Sequence, residues 1–592
     1  MGAGLAVCGE RIDLPTVPVA LGPRGPVGPD VSLGEAEGKR LAPRIAVEGG
    51  TAAAVRTACE RAVKEGVKVV FLPAGEYVFE STVSVPGGVT LLGEGSKTLI
   101  RTIDRKTRLF SVGGDNVRFT RLKLQGADTT PNQDNNTFGI VSSKVKNVRI
   151  DHCELLGFSY VMDCTDDATV QVDHCRIHHN LRNGYGYGVA VYNGAYVLVT
   201  DNEFSQNRHS LASNGALDWA KGYKERIFRH IPGVRKCHWE FIHNRVNGND
   251  KAAPRLWAVD SHPGMDGSFV IEGNIFENLS AGIGIRDGFG IVRGNLFYNF
   301  QQGRGDSVIR ISATTHNGIQ VENAIPHDIQ LAENTFVDVE QKLLIGHADK
   351  PYKWRVYWEI CQAQNITVDG KILAETRKDR KAPPPVIWLQ EMSEDGVLKW
   401  REARPAEDGI GGVEGVVTDE AGKPIAGATV YVGDRSATTD AAGRFSFAEV
   451  TAAAHFVAAT KMGFDIGLAG LAVRPGQRST VNVRLSPDRK PPIIFDVTVT
   501  KLIDKSASVV WRTDELATSE VVFGDRTQPE SKPEPAKIHS AELASLTPDT
   551  AYRFRITAKD ASGNVGASDE ITFRTSAVRA EVPADLKIDL KD

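Results

Sequence analysis

The middle of the chain repeats one pattern of apolar and polar positions. In each copy, two or three β-forming residues are followed by glycine or a small polar residue, then by asparagine or histidine, and then by an apolar residue. Copies recur at a period of roughly 20 to 40 residues, and short strands with this punctuation predict a parallel β-helix. The copies lie at 148–152, 170–174, 197–202, 240–244, 269–274, 291–295 and 329–334.

The asparagine or histidine of each copy is expected to form a ladder inside the solenoid. Each coil stacks on the next, so polar side chains at the same turn can hydrogen-bond from coil to coil. We interpret these residues as structural, and we expect Cys153 and Cys175, which follow in adjacent coils, to be stacked core thiols. The predicted ladder is His152, His174, Asn202, Asn244, Asn274, Asn295 and Asn334.

A helix and two strands precede the repeats. Residues 51–63 place apolar side chains at helical spacing, and Gly66 is expected to end this helix, which can cap the open end of a solenoid. Pro-Ala-Gly-x-Tyr follows at 73–77 and Gly-Val-Thr-Leu-x-Gly-x-Gly at 88–95. This order resembles the N-terminal module of the pectate-lyase superfamily, over residues 45 to 375. The resemblance implies the fold rather than one reaction, because the superfamily includes lyases, hydrolases, epimerases and phage tailspikes.

The pattern changes near residue 411. Gly-x-Val at 415–417, Pro-x-x-Gly-Ala-x-Val at 424–430 and Thr-Asp-x-x-Gly-x-Phe at 439–445 resemble a carboxypeptidase regulatory-like β-sandwich, a spacer or docking module. Alternating strands farther on resemble a fibronectin type III sandwich, in which Trp511 and Tyr552 are expected in the core. An exposed sugar-stacking platform is the other interpretation of Trp511.

Together these segments predict an all-β protein. Its main body is a right-handed parallel β-helix, a single-stranded solenoid with an N-terminal capping helix, and two β-sandwich domains follow. The expected organisation is an N-terminal arm at 1–45, the β-helix at 46–375, a linker or closing segment at 376–410, the regulatory-like sandwich at 411–487, the fibronectin type III domain at 491–576 and a tail at 577–592.

Composition narrows the function classes. A net charge of -4 argues against nucleic-acid binding, which needs a basic face. No apolar run reaches about 18 residues, so no membrane span is predicted. The seven cysteines show no zinc spacing and are expected to be mostly free and buried. Residues 1–10 lack the features of a signal peptide, and we expect a secreted, periplasmic or cell-surface protein whose leader has been removed, with the cytoplasm as the alternative.

Residues 177 to 287 hold many side chains suited to acid, base or anion chemistry. The largest gaps between copies, 208–238 and 301–327, predict loops that wall a groove on one face. Tyr-Gly-x-x-Val at 187–191, Asn-x-Phe-x-x-Asn-Arg-His at 202–209, Tyr-x-x-Arg at 223–226 and Asp-x-His at 260–262 resemble a pattern in poorly characterised β-helix proteins of the same superfamily. The resemblance implies a site without specifying a reaction.

The excess of arginine and histidine over carboxylates favours β-elimination on an acidic, uronate-containing polysaccharide. A base takes the C5 proton, a cation neutralises the carboxylate, and an acid protonates the leaving oxygen. We expect His209 or His262 as base, Arg208 and Arg226 as neutralisers, and Tyr187 or Tyr223 as acid. The predicted catalytic set is His209, Arg208, His262, Asp260, Asp218 and Tyr187, and the predicted substrate-binding set is Arg226, Tyr223, Lys221, Arg286, Asp287, Trp257, His179 and Arg182.

Other functions stay open at this point. A glycoside hydrolase would use a carboxylate pair drawn from Asp218, Asp260 and Asp287. A non-catalytic binding or surface-attachment protein would instead use Trp257, Trp219 and Tyr223 as sugar platforms, with the C-terminal modules attaching it to a cell surface or matrix. Some pectate-lyase relatives use Ca²⁺, which prefers oxygen ligands, and one cluster of carboxylates could supply them. The other interpretation of this cluster is an acidic turn exposed to solvent. That cluster is Asp163, Asp166 and Asp167.

Overall fold

A computed structural model of the chain describes residues 43–577 with internal gaps. The gaps are 215–216, 226, 230–234, 249–256, 263–266, 301–306, 312–314, 317–318, 322–325, 338, 340–341, 346–363, 369–370, 375–387, 393–397, 403–408, 525 and 532–533. The chain divides into two compact units, one of residues 1–417, 424–459 and 468–483, the other of residues 418–423, 460–467 and 484–592. Helices of the described residues are all too short or too polar to cross a membrane.

The predicted capping helix is present. Helix α1 spans Ala52–Glu65, and the Thr51 hydroxyl accepts a hydrogen bond from the Ala54 amide at 3.2 Å, which satisfies one free donor of the first turn. Gly66 ends the helix with φ 67°, a left-handed conformation that costs glycine little. Val55 on its inner face is fully buried in the main core, so the helix covers the first coil as expected.

Three parallel sheets form the β-helix, which confirms the predicted fold class. Sheet 1 contains Arg44–Ala46, Val69–Phe71, Thr90–Leu92, Arg118–Thr120, Val148–Asp151, Thr169–Asp173, Tyr196–Thr200, His238–Ile242, Ser268–Glu272, Gly288–Arg293, Pro326–Ala332 and Gln364–Val368, with Lys371–Ala374 antiparallel at its edge. Sheet 2 contains Gly75–Val78, Thr98–Arg101, Lys123–Gln125, Glu154–Leu156, Arg176–Asn180, Glu203–Asn207, Arg245–Asn247, Ile275–Glu277, Leu296–Tyr298 and Thr335–Val337. Sheet 3 contains Val83–Val85, Arg108–Val112, Phe138–Ser143, Tyr160–Thr165, Tyr187–Tyr192, His209–Asn214, Trp257–Ser261, Ala281–Ile285, Ile309–Ile311 and Leu343–Ile345.

Other elements lie outside the three sheets. A 3₁₀ turn at Gly95–Lys97 joins two early strands, and helix α2 spans Trp219–Glu225. Short strands Ile227–Phe228, Thr315–His316 and Ile319–Val321 form a small sheet, and Trp388–Met392 pairs with Leu398–Glu402. Two further sheets contain Ile410–Thr418, Thr429–Val432, Arg435–Thr438, Arg444–Thr451, Ala454–Thr460, Gly467–Ala472, Arg478–Thr480 and Val483–Arg484. The last domain contains Ile494–Thr500, Ala507–Phe523, Arg526–Pro529, Ala536–Leu543, Ala551–Asp560, Val565–Ala567 and Ile571–Arg574.

The asparagine ladder is confirmed from Asn202 onward. The Asn274 side chain, which is fully buried, donates to the Asn295 side-chain oxygen at 2.9 Å and to the Phe241 carbonyl at 2.8 Å. Its own oxygen accepts from the amide and the side chain of Asn244. The same bonds link Asn202 to Asn244 and Asn295 to Asn334, so each turn between sheets 1 and 2 is held to its neighbours.

The prediction was wrong by one residue in the two earlier coils. Asn202 accepts from the amide of Cys175, not of His174, so the cysteines occupy the ladder position as buried free thiols. His152 and His174 lie one residue earlier, at the left-handed corner with φ 52° and 53°, and their rings stack outside at 5.0 Å. Their side chains are 44% and 36% exposed, which excludes them from the interior ladder.

The last domain has its own core, as predicted. Trp511 is fully buried and donates its ring N–H to the Ser519 hydroxyl at 2.9 Å, which excludes the sugar-platform interpretation. Tyr552 packs against this core, and its hydroxyl accepts from the Thr547 amide at 2.8 Å.

The cysteines are free and buried, as expected, at positions 59, 153, 164, 175 and 237, and residues 8 and 361 lie outside the described residues.

Candidate functional site

A column of rings runs along the outer face of sheet 3, one per coil. Phe138 is in register with Tyr160, Tyr160 with Tyr187, and Tyr187 with His209. The Phe138 and Tyr160 rings stack at 4.8 Å, and the Tyr187 and His209 rings lie 5.3 Å apart. Register therefore brings four rings from four successive coils, far apart in sequence, into one continuous column.

The turn before Tyr187 depends on glycine. Gly184 and Gly186 have φ of 86° and 80°, and a Cβ at position 186 would lie 2.4 Å from the Asn180 carbonyl oxygen. Only glycine accepts this close approach without displacement of the backbone. These residues are turn residues as predicted, and they bring Tyr187 to the start of its strand on sheet 3.

Two histidines and one aspartate meet beside this column. The Nε2 atoms of His209 and His262 lie 3.5 and 3.3 Å from the same oxygen, Oδ2 of Asp260. All three residues are at most 4% exposed. His209 Nδ1 donates to the Trp257 carbonyl, and His262 Nδ1 donates to the Ser213 carbonyl at 3.2 Å. Three of the predicted catalytic residues thus form one buried cluster.

Arg286 completes this cluster from the next coil. Its guanidinium donates to both oxygens of Asp260, at 3.0 and 2.6 Å, and lies 5.3 Å from the centre of the Trp257 ring. Burial alone would raise the pKa of Asp260, but Arg286, His262 and His209 together hold it well below its usual range. Burial lowers the pKa of His209 to about 4, against the opposing effect of Asp260. The folded state therefore keeps a carboxylate beside a neutral imidazole.

Arg208 and Tyr187 form a second pair at the edge of the cluster. Arg208 Nη1 donates to the Tyr187 hydroxyl at 3.2 Å, and that hydroxyl donates to the Gly184 carbonyl at 3.3 Å. Burial raises the pKa of Tyr187, while Arg208 opposes the rise. Among the described residues, Arg208 makes no ion pair with a carboxylate, so its remaining N–H donors are available to an anion.

The remaining predicted residues lie apart from this cluster or have structural contacts. Asp287 accepts from the Gly288 amide at 2.8 Å and follows Arg286 directly. Asp218 precedes α2, where its carboxylate accepts from the Lys221 amide at 3.0 Å. Lys221 pairs with Glu225 at 3.8 Å, and Tyr223, half exposed, packs on Phe228. Residue 226 lies outside the described residues, and so does the side chain of residue 219.

His179 and Arg182 are also separate from the buried cluster. His179 lies on sheet 2 with φ 54°, and its Nδ1 contacts His178 at 2.7 Å. Arg182 lies over the Tyr185 ring at 4.3 Å and donates to the Asn136 side chain at 2.9 Å. Because the Tyr185 ring lies 6.0 Å from that of Tyr187, Arg182 belongs to the margin of the site.

Sequence analysis missed neighbours that only register reveals. Arg108 lies over the Phe138 ring at 5.0 Å, and Arg310 lies over the Trp257 ring at 5.6 Å. The carbonyls of Trp257 and Ser213, which orient both imidazoles, have no signal in the sequence because every residue carries a carbonyl. Tyr160 could have been found from its in-register position before Tyr187.

Within the described residues, two groups could hold a metal ion: His209 with Asp260 and His262, and a group in the last domain, Asp488, Glu515 and Asp560.

The aspartates of the acidic cluster considered for Ca²⁺ have other interactions within the protein. Asp166 accepts from the Ser143 hydroxyl at 2.8 Å, Asp167 pairs with Arg235, and burial raises the pKa of Asp163 to about 6. Calcium binding there stays a prediction.

Two regions match known families. Residues 49–231 match the rhamnogalacturonase A/epimerase, pectate lyase-like family, and residues 412–486 match the carboxypeptidase regulatory-like domain. The chain therefore contains both domains, and both resemblances are confirmed. The fibronectin type III resemblance at 491–576 stays a prediction. No curated protein matches the chain significantly.

Solved structures show distant similarity. The Dettilon tailspike protein is 10% identical, with 85% of this chain and 90% of that chain covered and a TM-score of 0.32. DFA-IIIase from Arthrobacter chlorophenolicus A6 is 14% identical, with 55% and 92% covered and a TM-score of 0.28. A putative carbohydrate binding protein from Bacteroides uniformis ATCC 8492 is 12% identical, with 28% and 98% covered and a TM-score of 0.12. These similarities are too weak to bear on function.

Proposed function

We propose that this protein cleaves an acidic, uronate-containing polysaccharide by β-elimination on the outer face of sheet 3. The observation that carries the proposal is the contact between Arg208 and Tyr187, in which a guanidinium with free donors touches a phenol at 3.2 Å. A guanidinium fork pairs well with a carboxylate, and a phenol can exchange a proton. These are the two groups that elimination from a uronate requires next to each other.

The reaction assigns one role to each member of this pair. Arg208 neutralises the sugar carboxylate, which makes the proton at C5 more acidic. Tyr187 acts in its phenolate form, which the contact with Arg208 favours against the effect of burial, and it accepts that proton. The C5–H electron pair becomes the C4–C5 double bond, and the C4–O bond breaks. The Tyr187 phenol then returns the proton to the leaving oxygen, so protons and charge balance.

The histidines are placed behind the reacting groups. His209 and His262 were the expected bases, but both turn Nε2 toward Asp260 and hold Nδ1 against a backbone carbonyl. A base has to reach the proton that it removes. We therefore assign the proton transfer to Tyr187 and the support of the site to the buried cluster.

Hydrolysis is less well supported by this geometry. It requires two carboxylates, roughly 5 to 9.5 Å apart, on opposite sides of the glycosidic bond. Asp260 is held by both hydrogen bonds from Arg286, and the carboxylates of Asp218 and Asp287 accept backbone amides. All three aspartates considered above therefore already have hydrogen-bond partners within the protein.

The experiment is an incubation with a panel of acidic polysaccharides, with parallel readings of ultraviolet absorbance and reducing ends. Elimination gives both signals, because each cut creates an unsaturated uronate. We expect Tyr187→Phe to remove both signals, and Tyr160→Phe, the matched change one coil earlier in the same column, to retain them. Reducing ends without absorbance would establish a hydrolase, and neither signal across the panel would favour a binding protein.

A further inference from the structure

The cluster of His209, Asp260 and His262 has three acceptor groups facing one another. Each Nδ1 lies against a backbone carbonyl, which can only accept, so each Nδ1 carries the hydrogen. In a neutral imidazole the other nitrogen, Nε2, then bears a lone pair. Both lone pairs face the carboxylate of Asp260, which is also an acceptor. Three acceptors in one buried space repel one another unless a proton or a metal cation lies between them.

One of these atoms has no partner. His209 Nε2 is buried and makes no hydrogen bond, although the residue is only 1% exposed. An unsatisfied buried polar atom costs about 1–3 kcal/mol and calls for an explanation. Asp260 Oδ2 lies 3.5 Å from this atom, beyond the usual range of a hydrogen bond. A ligand between the two atoms would supply the missing interaction.

The spacing fits ligands of one metal ion. Bonds of about 2.0–2.2 Å at tetrahedral angles place neighbouring ligand atoms about 3.3–3.5 Å apart. The distances from Asp260 Oδ2 to His262 Nε2 and His209 Nε2 are 3.3 and 3.5 Å. All three ligand atoms lie within 4.8 Å of one another. This arrangement exists before any ion is added.

From this geometry we infer that His209, Asp260 and His262 bind one divalent transition-metal ion of the Zn²⁺ class. Two imidazole nitrogens and one carboxylate suit such ions, whereas Ca²⁺ prefers six to eight oxygen ligands. The carbonyls of Trp257 and Ser213 orient the imidazoles in the way that outer contacts orient metal-bound histidines. The inference goes beyond the proposed function, because the ion would bind whether or not the reaction is elimination.

Arg286 is compatible with this site. It donates to both oxygens of Asp260, but a carboxylate oxygen has two lone pairs and can accept from Arg286 and bind an ion at once. The arginine also fixes the orientation of the carboxylate. We therefore count Arg286 as a positioning residue of the site rather than as a competitor for it.

The test measures metal binding directly, without an activity assay. Tag-free full-length protein is stripped with a chelator, dialysed, and titrated with Co²⁺ and Zn²⁺. We expect about one equivalent of Zn²⁺ by elemental analysis and a visible Co²⁺ absorption that Zn²⁺ removes. His209→Gln and His262→Gln should lose both signals, and Asp260→Asn should weaken binding about tenfold or more. A cooperative thermal unfolding transition of each metal-free variant checks that the variant is folded.

His238→Gln is the matched control. His238 is a fully buried histidine of sheet 1 whose two ring nitrogens contact Ser268 at 2.7 Å and Glu240 at 3.2 Å. It should retain the metal. If the cluster variants fail to fold, the melting temperature of the wild type decides: it should rise with Zn²⁺ and not with Ca²⁺. Equal binding by His209→Gln and the wild type, or no Zn²⁺ effect on melting, would overturn the inference.

Discussion

At the scale of single residues, burial and partners decide what each ionisable group can do. Arg208 and Arg286 are both guanidiniums on the same face, yet Arg286 is committed to Asp260 whereas Arg208 retains free donors. From the sequence alone both arginines are simply positively charged, and the sequence cannot show which of them is already paired with a carboxylate of the protein. The structure separates the arginine that can meet a substrate from the arginine that holds the site together.

Substitution of Arg208 tests the role of its planar guanidinium group in binding a carboxylate. Arg208→Lys keeps the charge but loses the bidentate geometry, and Arg208→Gln loses both. We expect kcat/KM on a uronate polymer to fall about 10-fold or more for Lys and about 100-fold or more for Gln, by analogy with the loss of one donor that stabilises developing charge. The measurement is initial rate against substrate concentration. Equal activity of Arg208→Gln and the wild type would exclude carboxylate neutralisation by this residue.

Asp163 gives a pH-dependent prediction. Burial raises its pKa in the folded state to about 6, so folding favours its neutral form. That contribution to stability is present below the unfolded pKa of about 4 and is lost as pH rises through about 6. Asp163→Asn should therefore stabilise the protein at pH 8, by about 1–3 kcal/mol, and change little at pH 4.

The control for this substitution is Asp166→Asn. Hydrogen bonds from Ser143 and Asn193 outweigh burial and lower the pKa of Asp166, so its carboxylate stabilises the fold at neutral pH. Asp166→Asn should destabilise at pH 8, where Asp163→Asn stabilises. Melting temperatures of both variants at pH 4 and pH 8 check the signs, and a lower melting temperature of Asp163→Asn at pH 8 would refute the account.

At the scale of elements, the strand pattern predicts the positions of the coils better than it predicts which residue occupies each place in the turns between sheets 1 and 2. The repeats locate seven of the turns between sheets 1 and 2, but asparagine and histidine are both polar and both occur at such turns. The residue at the corner of the turn adopts a left-handed backbone conformation. The side chain of the next residue points into the solenoid and donates a hydrogen bond there. His152 fits the corner and Cys153 the interior, a one-residue distinction that depends on backbone dihedrals rather than on polarity.

Asn274 tests the ladder. Its fully buried amide group joins three coils, and Asn274→Ala would leave the Asn244 amide and the Phe241 carbonyl without these partners. We expect a loss of roughly 2–4 kcal/mol, since each unsatisfied buried group costs about 1–3 kcal/mol. Asn299 follows a strand of sheet 2 at φ 52°, so Asn299→Gly removes its partly buried bond to Asn278 without backbone strain and should cost less than half as much. Thermal unfolding of the two variants gives the comparison, and equal losses would contradict an interior ladder.

At the scale of the whole molecule, the chain contains a β-helix, to which we assign the reaction, and C-terminal modules, the last of which lies in the second compact unit. Sequence motifs predicted the β-helix and the regulatory-like domain because both families use short glycine-rich turns at fixed offsets. The composition of the site was also predictable: Tyr187, His209, Asp260 and His262 were all expected, although not their mutual orientation. The fibronectin type III assignment, secretion and attachment through these modules stay predictions.

Trp511→Ala tests the independence of the last domain. Removal of this fully buried side chain should cost about 3–5 kcal/mol and unfold or loosen residues 491–576. All described residues of the site lie in the other compact unit, so polysaccharide cleavage should persist. Limited proteolysis reports the loss of the domain, and the cleavage assay reports the site. Parallel loss of activity and of the last domain would show that the two depend on each other.

The masses of the products test β-elimination most directly. Elimination splits a chain without gain of water, so the masses of the two fragments add up to the mass of the substrate. Hydrolysis adds one water to the sum. For a defined uronate oligosaccharide that the enzyme cleaves, we predict fragments that sum to the substrate mass, with none of them formed by Tyr187→Phe. Fragments that sum to the substrate plus one water would contradict the account and assign the chain to the hydrolases.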